Sequence, residues 1–283
     1  MTQVKESEFL KRKITELGPW HHKVVITPDI STQIGSESES RIGSEGTVVL
    51  IDDKQEFVDL LGSIYPDGVS GRSFLEAACN CAAYSNYFMQ LGGEKAFGFD
   101  AREHWVNQAN FLKKHLLDDT EAAQFRVADL EGVKSIGLDN YDIGMFKGIF
   151  YHLPDPISSL KTIADLTNEV LIFNSASRYS PRSGLVLARE DTSHLMSGIY
   201  GLNWFPTDPA VIEKLLQTMG FNDFRVLFWH KRPSIRNGMK RGVTRFLKNT
   251  IVGNGRFGLI AARKKGFFDH FDTTKFTAKY NNY

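Results

Sequence analysis

Three carboxylates and a tyrosine–histidine pair mark where this sequence could do chemistry. Glu76 lies inside the apolar run Ser73–Ala78, Asp100 closes the run Ala96–Asp100, and Asp129 follows Phe125–Ala128. An acid at the end of a buried run can accept the hydroxyl groups of a bound ligand. Asp100 follows Glu76 by 24 residues, close to the ~20-residue step from binding loop to ribose-holding acid in dinucleotide folds. A fourth run, Tyr141–Phe146, leads through Lys147 to Tyr151 and His152. A histidine beyond the carboxyl end of a strand can take a proton from a hydroxyl or an amine. The bland alternative is that Tyr-His-Leu is a packing element with its imidazole bonded to backbone.

Glycine is scarce where a phosphate would need it. In place of G-x-G-x-x-G the chain reads Ala78-Cys79-Asn80-Cys81-Ala82-Ala83. A pyrophosphate needs glycines so that backbone N–H groups come close to it, which counts against NAD and FAD. A ligand without phosphate, such as S-adenosylmethionine (SAM), can approach over small residues. A disulfide across one residue is geometrically poor and a zinc site needs about four ligands, so Cys79 and Cys81 read as buried thiols with no metal.

These residues must be positioned by regular elements. Strand-like runs at Ser73–Ala78, Ala96–Asp100, Phe125–Ala128, Tyr141–Phe146, Val170–Ser175, Phe224–Trp229 and Phe257–Ala262 alternate with amphipathic stretches at Ala83–Leu91, Glu103–Leu117, Ile157–Leu166 and Pro209–Met219. Repetition of strand and helix predicts a mostly parallel sheet with helices on both faces, a Rossmann-like α/β fold of seven strands. The last pair is expected to close the sheet as a hairpin with one antiparallel strand. Ahead of the sheet, residues 5–17 place Phe9, Leu10, Ile14 and Leu17 at helical spacing before Gly18-Pro19. Two β-like runs, Val24–Thr27 and Thr47–Ile51, flank a Ser/Gly/Glu segment, and residues 55–64 read as a short helix. The expected organisation is an N-terminal extension over 1–68, the domain of the sheet over 69–266 with an insertion at 176–208, and a tail over 267–283.

Composition narrows the class. The 283 residues carry 34 basic and 33 acidic side chains, a net charge of +1, which excludes a molecule-wide field for nucleic acid or membrane. His230–Lys248 nevertheless concentrates lysine and arginine without one acid. Such a run is a solvated face or a contact for an anionic substrate. No apolar run approaches ~18 residues and the charged start lacks the pattern of a secretion signal, so a cytoplasmic protein is expected.

The order EAACNCAAYS, FGFDA, VADLEG, FKGIFYHLPDPISSL resembles class I SAM-dependent methyltransferases. Within them the chain is most similar to the group containing the bacterial tRNA wobble-uridine carboxymethyltransferase and its uncharacterised relatives. Leu17-Gly18-Pro19-Trp20-His21-His22-Lys23 and Trp204-Phe205-Pro206 add to the likeness, which spans roughly residues 17–263. The resemblance implies Glu76, Ala78, Asn80, Asp100, Asp129, Leu130 and Lys147 as cofactor contacts. It puts Tyr151 and His152 near the reactive group and Arg256 where relatives use an arginine with carboxy-SAM. It also implies that the extension is a lid, the domain of the sheet catalytic and the insertion a substrate cap. Trp20 and His22 are then expected in the lid, and Tyr200 and Trp204 in the cap, all against the acceptor. The resulting expectation is methyl transfer from SAM to an oxygen or nitrogen of a small or medium, anionic acceptor, a sugar or natural product. Two other readings stay open: carboxymethyl transfer from carboxy-SAM to tRNA, favoured by Tyr151, Arg256 and the basic run, and a non-catalytic SAM-binding protein. The short region before Gly18 and the shifted Lys23 count against the tRNA reading.

Overall fold

The computed structural model describes residues 3–35, 48, 50–232 and 254–276. One seven-stranded sheet has strand order β10-β11-β7-β6-β3-β4-β5, built from β3 (Ser73–Ala77), β4 (Lys95–Asp100), β5 (Ala123–Val127), β6 (Tyr141–Lys147), β7 (Thr167–Arg178), β10 (Asp223–Arg232) and β11 (Asn254–Ala262). All seven expected strands are present. β3 pairs with β4 and β4 with β5 in parallel, whereas β11 is antiparallel to both β10 and β7. The order reverses at β3, whose neighbours are β4 and β6, so a switch point lies there.

By internal contacts the chain forms two compact units, 1–145 with 191–197 and 146–190 with 198–283. The first begins with α1 (Gln3–Leu17), which buries Leu10 and Ile14, one helical turn apart. β1 (Val25–Thr27) pairs with β2 (Ile30–Ser31), and α2 (Lys54–Ile64) follows where a short helix was expected. Much of the second β-like run and all of the Ser/Gly/Glu segment between 36 and 47 lie outside the described residues. Ile51 makes only an isolated bridge to His22. Behind β3 the rings of Phe57, Phe74 and Phe88 pack together, with Phe74 and Phe88 stacked at 5.1 Å. The unit continues with α3 (Ala83–Gln90), α4 (Glu103–Leu116) and α5 (Leu130–Ile136).

In the second unit α6 (Pro156–Asp165) and α7 (Pro209–Thr218) start alike. Asp155 and Asp208 accept the N–H groups of Ser158 and Val211, and a proline fills the first helical position of each. Between β7 and α7 the insertion forms a hairpin of β8 (Leu185–Arg189) and β9 (Leu202–Pro206) that the sequence reading lacked. The core is an aromatic cluster around Phe173, with Phe146, Phe150 and Phe257 at 5.7–6.1 Å. Phe268, placed by the sequence reading in a loose tail, is fully buried, and its N–H donates to Asp223. Among the described residues no helix is long and apolar enough to cross a membrane.

Candidate active site

The turn after β3 keeps a shape that glycine usually supplies. Ala78, Asn80 and Ala82 have φ of 51°, 52° and 53°, alternating with Cys79 and Cys81. Left-handed backbone costs an L-residue about 1–2 kcal/mol, so the shape is held from outside. Cys79 N–H donates to Phe99 O at 2.9 Å, and Ala82 N–H to Cys79 O at 2.7 Å. Asn80, the type that best tolerates this region, accepts the Cys81 N–H on its own Oδ1 at 2.8 Å. Both thiols are buried, and burial pushes each well above the usual cysteine range. Ala78→Gly should therefore stabilise the protein by about 0.5–1 kcal/mol, strain relief exceeding the entropy cost of glycine. Ala82→Gly should gain nothing, because a fully buried methyl worth about 0.8 kcal/mol is lost there. Urea denaturation of both variants checks this; equal gains would contradict it.

Asp100 is bonded into that turn. It is 8% exposed and accepts Asn80 N–H on Oδ2 at 3.1 Å and Arg102 N–H on Oδ1 at 3.0 Å. Burial raises its pKa above the ordinary aspartate value, opposed by these two N–H groups and the Arg102 charge. Each oxygen has a second lone pair for a ligand hydroxyl. Glu76, also buried, accepts the backbone N–H and the hydroxyl of Ser85 on Oε2 at 2.9 and 2.6 Å, tying β3 to the first turn of α3. Asp129 caps α5 by accepting Gly132 N–H at 2.7 Å, with Leu130 buried behind it. Ala78 and Asn80 are half-buried in the turn itself.

Trp20 and His22 are buried in the N-terminal segment. Trp20 is fully buried, and its indole N–H donates to Ile14 O at 2.8 Å. His22 is buried against the Tyr84 ring, with Nδ1 3.5 Å from Asp53, whose carboxylate accepts the Tyr84 hydroxyl. Both side chains tie the N-terminal segment down. Trp20→Ala should cost about 3–5 kcal/mol, read as a loss of thermal or urea stability; a change below about 1 kcal/mol would contradict the anchor.

The second unit holds the other set. Lys147 ends β6, and Gly148 (φ 77°) turns the chain with its N–H on Asn174 O. A short 3-10 turn then presents Tyr151 and His152. Tyr151 accepts a hydrogen bond from Arg256 Nη2 at 3.3 Å, stacks on Phe205 at 5.7 Å, and its carbonyl accepts the Asn203 amide at 3.1 Å. Trp204 donates its indole N–H to Pro154 O at 3.2 Å, which fastens β9 to this turn. Tyr200 is 39% exposed.

His152 Nδ1 lies 2.6 Å from Glu190 Oε1 and 3.1 Å from the Gly198 nitrogen. A ring nitrogen carries a hydrogen or a lone pair, not both, so the two neighbours compete. Burial pushes Glu190 up, but the His152 hydrogen bond and charge, the Gly198 N–H and Asn203 together hold it below the usual carboxylate range. A charged Glu190 at 2.6 Å places the hydrogen on Nδ1 and leaves Nε2 as the basic nitrogen. Glu190 escaped the sequence reading because it stands 38 positions beyond His152 in an irregular insertion. Of the basic run, residues 233–248 lie outside the described residues.

No family model matches the chain, and none of the curated proteins matches it. Among solved structures it is similar to the N-terminal domain of EvdMO1 in the presence of S-adenosylhomocysteine (SAH) and D-fucose, at 18% identity and TM-score 0.65, covering 93% of this chain and 98% of that one. The same domain with SAH bound gives 18% and 0.66 over 91% and 97%. Full EvdMO1 gives 16% and 0.56 over 93% of this chain but 49% of that one, so this chain spans about half its length. The chain has a Rossmann-like α/β fold, shared with the EvdMO1 N-terminal domain.

Proposed function

We propose that this chain is a SAM-dependent methyltransferase acting on an oxygen or nitrogen of a small or medium, anionic acceptor, a sugar or natural product. The observation that carries the reading is the turn after β3, kept in left-handed backbone without glycine and hydrogen-bonded to Asp100. That arrangement fits a phosphate-free nucleoside: small residues line the turn, and Asp100 retains lone pairs for ribose hydroxyls. Glu76 fixes the strand-to-helix geometry that holds Ala78 and Asn80, while Asp129 and Leu130 complete the proposed cofactor contacts of the first unit. A similar fold in the EvdMO1 domain, crystallised with SAH and with D-fucose, supports both the cofactor and a sugar acceptor.

SAM, when bound, supplies a methyl group already activated by its sulfonium leaving group. The protein's own contribution is to align the acceptor, exclude water and hold the departing proton. His152 Nε2 takes that proton, and Glu190 fixes the tautomer and stabilises the imidazolium that results. Tyr151, Tyr200 and Trp204 border the acceptor side in this reading. The test is incubation with SAM and a panel of neutral and acidic sugars, read by mass for gain of one methyl and by SAH release. Carboxymethyl transfer to tRNA is the second reading, favoured by the Arg256–Tyr151 hydrogen bond. Product mass separates it directly, since a carboxymethyl group is heavier than a methyl.

A further inference from the structure

Within the second unit, one face of β7 and β11 carries polar side chains, two of which keep a buried atom without a hydrogen-bond partner among the described residues. The sheet register places Asn174 opposite Gly258, Ala176 opposite Arg256, and Arg178 opposite Asn254, and directly opposed residues share a face. Asn174, Ala176, Arg178 and Arg256 therefore lie on the face of β7 and β11 opposite to Phe173 and Phe257. Asn174 Oδ1 and Arg178 Nε are both buried and have no hydrogen-bond partner among the described residues. Native proteins rarely leave such atoms unsatisfied, and each that remains calls for a ligand, water or ion. Neither Arg178 nor Arg256 pairs with an acid among the described residues. Arg178 lies 5.9 Å from the Phe205 ring centre, and Arg256 donates to the Tyr151 hydroxyl. Phe205 and Tyr151 are stacked, so the two guanidinium groups border one aromatic pair.

Exposure differs between these residues. Asn174 is buried, Ala176 and Arg178 are half-buried, and Arg256 is exposed. A ligand seated there meets a hydroxyl acceptor at the deep end and fixed positive charge at the open end. Opposite Asn174, Gly258 has no side chain to fill the space, which the Phe228 ring approaches instead. The forked donors of arginine match a carboxylate, whereas an uncharged deoxysugar would leave both guanidinium groups without an anion.

We infer that this face binds the acceptor and selects a carboxylate-bearing sugar of the hexuronate class, with Arg178 and Arg256 on the carboxylate and Asn174 accepting from a ring hydroxyl. The inference rests on the methyltransferase reading and names its substrate class. D-galacturonate, D-galactose and D-fucose share ring stereochemistry and differ at the terminal carbon, as carboxylate, hydroxymethyl and methyl. Calorimetric titration of each into the full chain saturated with SAH should show D-galacturonate binding at least about tenfold more tightly than the other two. Arg178→Gln should remove about tenfold of that preference and leave D-galactose affinity, SAH affinity and melting temperature as in the wild type. Arg178→Lys, which keeps charge without the fork, should lose an intermediate amount. Equal binding of the three sugars, no sugar binding at all, or undiminished preference in Arg178→Gln would overturn the inference while SAH binding leaves the parent reading intact. A protein that fails to bind SAH overturns the parent reading itself.

Discussion

His152→Ala is expected to lower kcat by about 10²–10⁴-fold, the usual contribution of a positioned general base, with SAH affinity held within about twofold. Glu190 sits 2.6 Å from Nδ1, and its carboxyl is held below the usual range despite burial. The sign of the pH effect follows. A depressed folded-state pKa contributes stability that is present above the unfolded value and lost only as pH falls through the lowered folded value. Loss of activity at mildly acidic pH therefore does not come from Glu190. Glu190→Gln should lower kcat by about 10²-fold with little change in KM, because an amide can turn its NH₂ toward Nδ1 and move the hydrogen to Nε2. Single-turnover rates on an acceptor found by the sugar panel check both. A histidine variant with wild-type turnover would reduce His152 to a packing element.

The alternation of strand and helix was legible because apolar runs and amphipathic stretches change period at each boundary, and all seven sheet strands lie where that change placed them. The end of β7 was less legible, because Ser175-Ala176-Ser177-Arg178 has no large apolar side chain to signal strand; its pairing with β11 carries it to Arg178. The β8–β9 hairpin was illegible for a related reason. Its strands are partly exposed and joined by a long connection without a tight-turn dipeptide, so local pattern and pairing part company. The turn after β3 was legible only in part. Its small residues could be read, but the left-handed backbone at Ala78, Asn80 and Ala82 is held by neighbouring hydrogen bonds that no local pattern announces. The burial of Trp20 and His22 was not legible either, because it comes from tertiary packing and not from local spacing. The His152–Glu190 pair is a tertiary contact with no sequence spacing to announce it.

Asp100→Ala is expected to weaken SAH binding at least tenfold, since charge-assisted hydrogen bonds to a ribose diol are worth about 1.5–3 kcal/mol. The substitution also removes the acceptor of Asn80 N–H and so loosens the turn proposed to hold the cofactor. Burial raises the Asp100 pKa, so its carboxyl takes up a proton at higher pH than an exposed aspartate. In the wild type, SAH affinity should accordingly begin to fall, as pH is lowered, above the ordinary aspartate value of about 3.9. Asp100→Asn, which keeps the shape and one acceptor, should lose less affinity than alanine and lack that acid dependence. Calorimetric titration of SAH into the wild-type chain and Asp100→Ala, side by side at neutral pH, is the most direct test of the central claim. The account predicts saturable binding of one SAH per chain and at least about tenfold weaker binding in the variant; absence of binding to the wild type, or equal affinity in the two proteins, would contradict it.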